Sequence, residues 1–284
     1  MGLLDNAITY LDQQLPRFGF EPDLWLHQGR MLIEARHWEE LRALAVSIRN
    51  ETSLQTQLDA FSYFAEAVAE SHLDRPEPAA AAADRILRAG GTTAALAREM
   101  AHTLRLEGFS KIAVDLLRPW RTELKDDPDF WFEYTVAAFS ASAEEDIVPA
   151  AARALELRPD DLSSINNQAA ALIAFRRQPE EALKLSTRVL AFRPEDVGTQ
   201  LNHVLALVQN RLLDEAEAML RQMNTLNFGV NEATNYHLGW FELNLARKDW
   251  GQARASYGRI DPRQLLSVQV RWLEQAFKSI PAGN

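Results

Sequence analysis

Cysteine is absent from the chain, which removes disulfide bonds, thiolate nucleophiles and cysteine-bound metals from consideration. Lysine is scarce: Lys111, Lys125, Lys184, Lys248 and Lys278 are all there are, in a chain with a formal net charge of -10. That balance opposes general binding to nucleic acid or to an anionic membrane, since both need a positive surface. Long apolar runs are also missing. AAALIAF (169–175) and VLALV (204–208) fall far short of the roughly 18 residues of a membrane span and read as core segments. The opening stretch MGLLDNAITYLDQQL has no basic residue before Arg17 and no long apolar block, so it does not read as a secretory signal. Its Met-Gly start lacks the Ser or Thr of a myristoylation site, Asn6 standing there instead. The expectation is a cytoplasmic protein with no membrane insertion.

What is present is enough to fold. Apolar residues make up 47% and charged residues 25% of the 284, proportions that build a substantial core. The stretch RRQPEEALKLSTRVLAFRPED (176–196) sets a pattern that returns along the chain. With Ala182 as anchor, the matching positions are Leu41, Ala80, Ala113, Ile147, Ala182, Ala216 and Ala253, spaced 39, 33, 34, 35, 34 and 37 residues apart. Twelve residues before five of them lies a small or β-branched residue: Gly29, Ala101, Thr135, Ala170 and Val204. In the last unit Gly239 stands fourteen before, implying a two-residue insertion. Seven residues after the anchors come Ile48, Leu87, Trp120, Ala154, Val189, Met223 and Ile260, all apolar.

An offset of seven is about two helical turns, so anchor and follower share one face of a helix. An offset of twelve reaches back across a turn to a preceding helix, where a small side chain permits close packing. Each unit is therefore expected to be a helical hairpin whose apolar face needs a neighbouring hairpin to cover it. Pro159 and Pro194 close units, and the acids after them suit the start of the next helix.

On these residues, over roughly 22 to 260, the chain resembles the tetratricopeptide repeat family, whose unit is a helix–turn–helix of 34 residues. WLHQGRMLIEARHWEELRALAVSI (25–48) is one clear unit; Trp25 and Trp131 match the family's early tryptophan, and Leu238-Gly239 its Leu-Gly pair. The fold expected is all-α: a right-handed superhelix, or α-solenoid, of about seven such hairpins with capping helices at both ends. Residues 1–21 form the N-terminal cap, 22–260 the repeat array and 261–284 a C-terminal capping helix and tail. Leu4, Ile8, Leu11 and Leu15 make the first cap's stripe. Asp261-Pro262 reads as the start of the last helix, with Leu266, Val270, Leu273 and Phe277 as its stripe.

Motifs of chemistry are missing. Gly90-Gly91 has no lysine behind it to make a phosphate loop, no HExxH metal motif exists, and the six histidines are dispersed. Glu144-Glu145-Asp146 and Asp126-Asp127 read as turn charges and helix caps. No catalytic residue, metal or cofactor is assigned. By the resemblance, the first helix of each hairpin lines a concave groove that accepts a peptide or partner helix. The faces opposite the packing stripes then give the candidate site. Arg30 and Glu34, followed by Arg98, His102 and Arg105, make one end polar and locally basic. Phe132, Val136 and Phe139, then Asn167 and Phe175, Leu201 and Leu205, and finally Tyr236, Trp240 and Asn244 make the rest largely apolar. The lysines that some family members use to clamp a partner's terminal carboxylate are missing from these helices. The function expected is a non-enzymatic scaffold binding a protein or peptide in its groove, the acidic part of the ligand near Arg30, Arg98 and Arg105. The alternatives are a structural arm that self-associates through the N-terminal helix, and, less favoured, a helical-repeat enzyme or RNA binder.

Overall fold

Four first helices begin with the same device at the same spacing. Thr93, Asp127, Asp161 and Asp196, set 34, 34 and 35 residues apart, each turn a side-chain oxygen onto the free backbone N–H groups of the helix that follows. Asp161 accepts from the Ser164 backbone N–H at 2.7 Å and Asp196 from that of Thr199 at 2.7 Å. Such caps satisfy donors that a helix start leaves orphaned. In this computed structural model, which describes residues 2–18, 21–51 and 54–281, the described residues form α-helices joined by short turns, with no strand.

The helices are α1 (Leu3–Phe18), α2 (Pro22–Ala35), α3 (Trp38–Asn50), α4 (Gln55–His72), α5 (Pro76–Ile86), α6 (Ala94–Leu106), α7 (Ser110–Leu117), α8 (Pro128–Ser140) and α9 (Glu144–Leu157). They continue as α10 (Leu162–Ala174), α11 (Pro179–Phe192), α12 (Val197–Gln209), α13 (Leu213–Gln222), α14 (Val230–Arg247), α15 (Trp250–Tyr257) and α16 (Ser267–Lys278). The seven pairs from α2/α3 to α14/α15 are the hairpins. The chain divides into two compact units, one ending at Asp126 and one beginning at Asp127, so the division falls after the third hairpin.

All seven hairpins turn the same way. Arg36, Asp74, Gly108, Ser142, Arg176, Arg211 and Lys248 have φ between 52° and 86°, the left-handed conformation, at the end of each first helix. In every case the next N–H bonds the carbonyl five residues back, from His37 to Leu32 at 2.9 Å through to Asp249 to Asn244 at 2.9 Å. This closure satisfies carbonyls that the helix end would leave bare. Only one of the seven is glycine, so the sequence carries no glycine period to announce it.

The anchors Leu41, Ala113, Ile147, Ala182, Ala216 and Ala253 are all wholly buried. The second hairpin is one residue out of phase with the expectation. Ala80 and Leu87 are exposed, and Ala79 and Ile86 fill the core in their place. In the fifth, Ala169 rather than Ala170 is the fully buried small residue. There the turn 175–178 is four residues long where 141–143 is three, and the extra residue moves the register by one. Trp120 and Met223 sit beyond the ends of α7 and α13 and are only half-buried. Asp261 does not cap the last helix. It caps a 3₁₀ turn (Pro262–Gln264), accepting from the Arg263 N–H at 3.1 Å, and α16 starts later, at Ser267.

Within the first unit Gly29 lets α2 lie against α4, since a Cβ there would come within 2.5 Å of the buried Phe61 ring. Gly91 crosses the backbone of α4 even more closely, at a φ of +80°. In the second unit Ile173, Leu205, Leu238 and Phe241 belong to one core cluster, against which Trp272 and Phe277 of α16 are packed. Tyr257 and Phe277 stack with ring centres 3.8 Å apart, joining α15 to α16.

Candidate partner-binding groove

The first unit carries the basic candidates, and packing of α6 near α2 sets Glu99 opposite Arg30. Arg30 on α2 donates twice to Glu99 on α6, at 2.7 and 2.6 Å. That bidentate pair raises the pKa of Arg30 and matches its charge inside the chain. Glu34 is exposed one turn further along α2. On α6, His102 is exposed and Arg98 and Arg105 are half-buried, with the Arg105 guanidinium 3.4 Å from His102 Nδ1. Glu99 lies on this same helix, so α6 presents a mixed face rather than a purely basic one.

The second unit contains a true concavity, of about 480 Å³. Phe139 of α8, Ile173 of α10 and Leu205 of α12 line it with apolar surface. Asn202, Asn231 and Asn235 from α12 and α14, with Gln264 and Gln269 from the C-terminal segment, supply amides around it. Some of these are already oriented: Asn202 donates to Asn166 Oδ1 at 3.1 Å, and Asn235 to Asn231 at 2.9 Å. Amide side chains each carry a donor and an acceptor, the complement of a peptide backbone.

The expected residues distribute unevenly around this opening. Phe139 and Leu205 line it together. Phe132 and Val136 lie half-buried along the same helix as Phe139, and Asn167 is half-buried on α10. Leu201 and Leu205 are each only 3% exposed and both belong to the core, but Leu205 alone of the two reaches the opening. Phe175 caps α10 beside the Arg177 guanidinium, 5.9 Å from its ring centre. Tyr236, Trp240 and Asn244 do not join the groove. They line a separate concavity of about 540 Å³ shared with Glu217 and Arg221 of α13 and Arg259 after α15.

Helix phase explains that separation. Asn231, Asn235, Leu238 and Glu242, at spacings of 4, 3 and 4, form the side of α14 that lines the openings along the groove. Trp240, two residues beyond Leu238, is turned about 200° away. In the separate concavity the Arg221 guanidinium lies 5.7 Å over the Trp240 ring, and Glu217 bonds both Arg221, at 2.6 Å, and Arg247.

A charge that no sequence motif announces is buried beside the groove. Glu242 accepts from Arg176 at 2.9 Å, and the Arg176 guanidinium lies 3.8 Å over the Trp272 ring of α16. Burial pushes the Glu242 carboxyl's pKa up, against the opposing pull of Arg176 and the Gln209 amide. On α12, facing α11, His203 is buried within 3.0 Å of Ser186 Oγ, and burial holds its pKa below the usual imidazole range. Among the described residues no three or more His, Asp or Glu side chains come together as a metal site, and no helix is long and apolar enough to cross a membrane.

No known sequence-family profile matches the chain, and no curated protein matches it. Solved structures do. A tetratricopeptide repeat protein from Parabacteroides merdae superposes with a TM-score of 0.55 at 8% identity, over 90% of this chain and 97% of that one. YrrB, described as a TPR protein with an unusual peptide-binding site, matches at a TM-score of 0.47 and 15% identity, over 71% and 97% of the two chains. A thermophilic TPR protein of Thermus thermophilus matches at 0.43 and 18%, over 66% and 100%. Seven hairpins with one shared turn closure, together with the Parabacteroides likeness, show that the chain has the all-α helical-repeat fold of tetratricopeptide repeat proteins.

Proposed function

We propose that the second unit is a non-enzymatic interaction module that binds a segment of a partner protein in the groove between Phe139 and Gln269. One observation carries the reading: the concavity has apolar surface at Phe139, Ile173 and Leu205 and a rim of five amide side chains. Apolar side chains of the ligand find burial there, and its backbone finds hydrogen-bond partners. The basic face of the first unit is not needed for this reading, because Arg30 is already matched by Glu99. The self-associating arm finds no support in α1, whose Ile8 is buried and whose Asp12 accepts from Gln28 of α2 within the chain.

The experiment is to pan a displayed peptide library against the intact chain and compare variants. Peptides selected on the wild type should lose about tenfold in affinity with Phe139→Ala, a loss of about 1.4 kcal/mol. They should keep their affinity with Trp240→Ala, which changes the separate concavity. Peptides indifferent to Phe139→Ala, or lost with Trp240→Ala alone, would remove the groove as the site.

A further inference from the structure

The groove is bounded on one side by the C-terminal helix of the chain itself. Beside the opening at Phe139, a second one lies between Leu205, Leu238 and Trp272, and a third, of about 380 Å³, runs from Glu242 to Trp272 and Ser279. All three openings are bounded by α16 or the residue that follows it, through Gln269, Trp272 or Ser279. Through Gln269 and Trp272, α16 meets residues of the first helices α10, α12 and α14, as the anchor of a bound segment would. The indole packs against the cluster containing Ile173, Leu205 and Leu238, carries Arg176 on its face at 3.8 Å and meets Phe241 edge-on at 6.1 Å.

We propose that α16 is a ligand held in cis, and that the natural partner is an amphipathic helix with an aromatic anchor that takes its place. This rests on the groove reading above and adds to it the class of ligand. Phe139, Ile173, Leu205 and the asparagines of α12 and α14 stay to receive the partner, and the Gln269 amide leaves with α16. Two observations support displacement. First, α16 buries a single side chain almost completely, Leu273, whereas α12 buries eight. The contact of Arg271 with Glu144, at 2.6 Å, is made by an exposed arginine and is screened by water. Second, the seat is imperfectly filled. Glu242 gives one oxygen to Arg176 and feels the Gln209 amide, which also donates to the Ile173 carbonyl at 3.2 Å, but its buried Oε2 has no donor within ordinary hydrogen-bonding distance. The charged residues of α16 near Trp272 do not supply one: Arg271 turns to Glu144 and Glu274 is exposed. A partner helix with an aromatic residue in the place of Trp272 and a lysine or arginine one turn away, where α16 carries Gln269 and Gln275, makes the charged bond that α16 leaves unmade.

The probe is a labelled synthetic peptide of residues 262–281, added to the full-length chain and to its Trp272→Ala and Trp272→Leu variants. Release of the resident helix should let at least one variant bind the peptide saturably and at least tenfold more tightly than the wild type does. The same peptide with alanine in place of its tryptophan should not bind. Folded variants that do not take up the peptide would overturn the proposal. Loss of the fold in both variants would overturn it too, by making α16 part of the core. A wild-type chain found as a dimer that exchanges α16 between copies would assign the seat to a second copy and not to a partner. Any of these failures leaves the groove reading standing if library peptides still depend on Phe139.

Discussion

Gly91 holds a φ of +80°, and a Cβ on it would lie 2.1 Å from the Gln57 carbonyl oxygen of α4. Neither the conformation nor the space admits a side chain. Gly91→Ala should destabilise the first unit by on the order of 3 kcal/mol, read as a lower urea midpoint. The Gly-Gly pair that looks in the sequence like a failed phosphate loop is a packing device. Arg211 is the opposite case, since its φ of 65° is strained for arginine and suits glycine. Arg211→Gly should raise stability by about 0.5–1 kcal/mol in the same measurement. His203 gives a pH dependence. Its imidazole is held neutral by burial, so its folded pKa lies below its unfolded value of about 6.5. The unfolded chain binds the proton more readily, so stability is full above that value and falls as pH drops from it toward the lower folded pKa. Comparing denaturation at pH 7.5 and about 5.5, the loss should be smaller in His203→Gln than in the wild type.

At the scale of the element, the hairpin was legible because six of its seven anchors, four of them alanine, are wholly buried at a near-constant period. The hairpin turn was not. A left-handed residue that is arginine, aspartate, serine or lysine in six of seven cases leaves no compositional trace, although it recurs every 34 to 38 residues. Helix starts fall between these extremes. Asp161 and Asp196 follow the unit-closing prolines by two residues, and the acids there were readable as favouring a helix N-terminus. That they cap through specific N–H groups is a matter of geometry. For Asp161, burial alone would raise the pKa, but the hydrogen bonds from Ser164 and Ser163, helped by Arg158, hold it below the usual carboxylate range. Its contribution is therefore present above about pH 3.9 and is lost as pH falls through the lower folded value. Asp161→Ala should cost about 1 kcal/mol at neutral pH, with the difference from wild type shrinking in acid.

For the whole molecule, what the sequence could not reveal was phase. The candidate aromatics were read as one apolar face, yet Phe139 and Trp240 line different concavities because α14 presents Asn235 and Leu238 where Tyr236 and Trp240 were expected. An error of one or two residues in a helical register changes the face of every side chain after it. The C-terminal helix was expected, but its seat was not: contacts from Trp272 to Arg176 and from Arg271 to Glu144 join residues 96 and 127 positions apart, where repeat periodicity carries no information. The central claim, that partners bind on the first helices of the second unit, is tested most directly by an amide-exchange footprint. A library peptide is bound to the intact chain and the slowed amides are mapped. The account predicts protection on α8, α10, α12 and α14 around Phe139, Asn202 and Asn235, with α13 and α15 unchanged. Protection confined to α13 and α15 around Trp240 would contradict it.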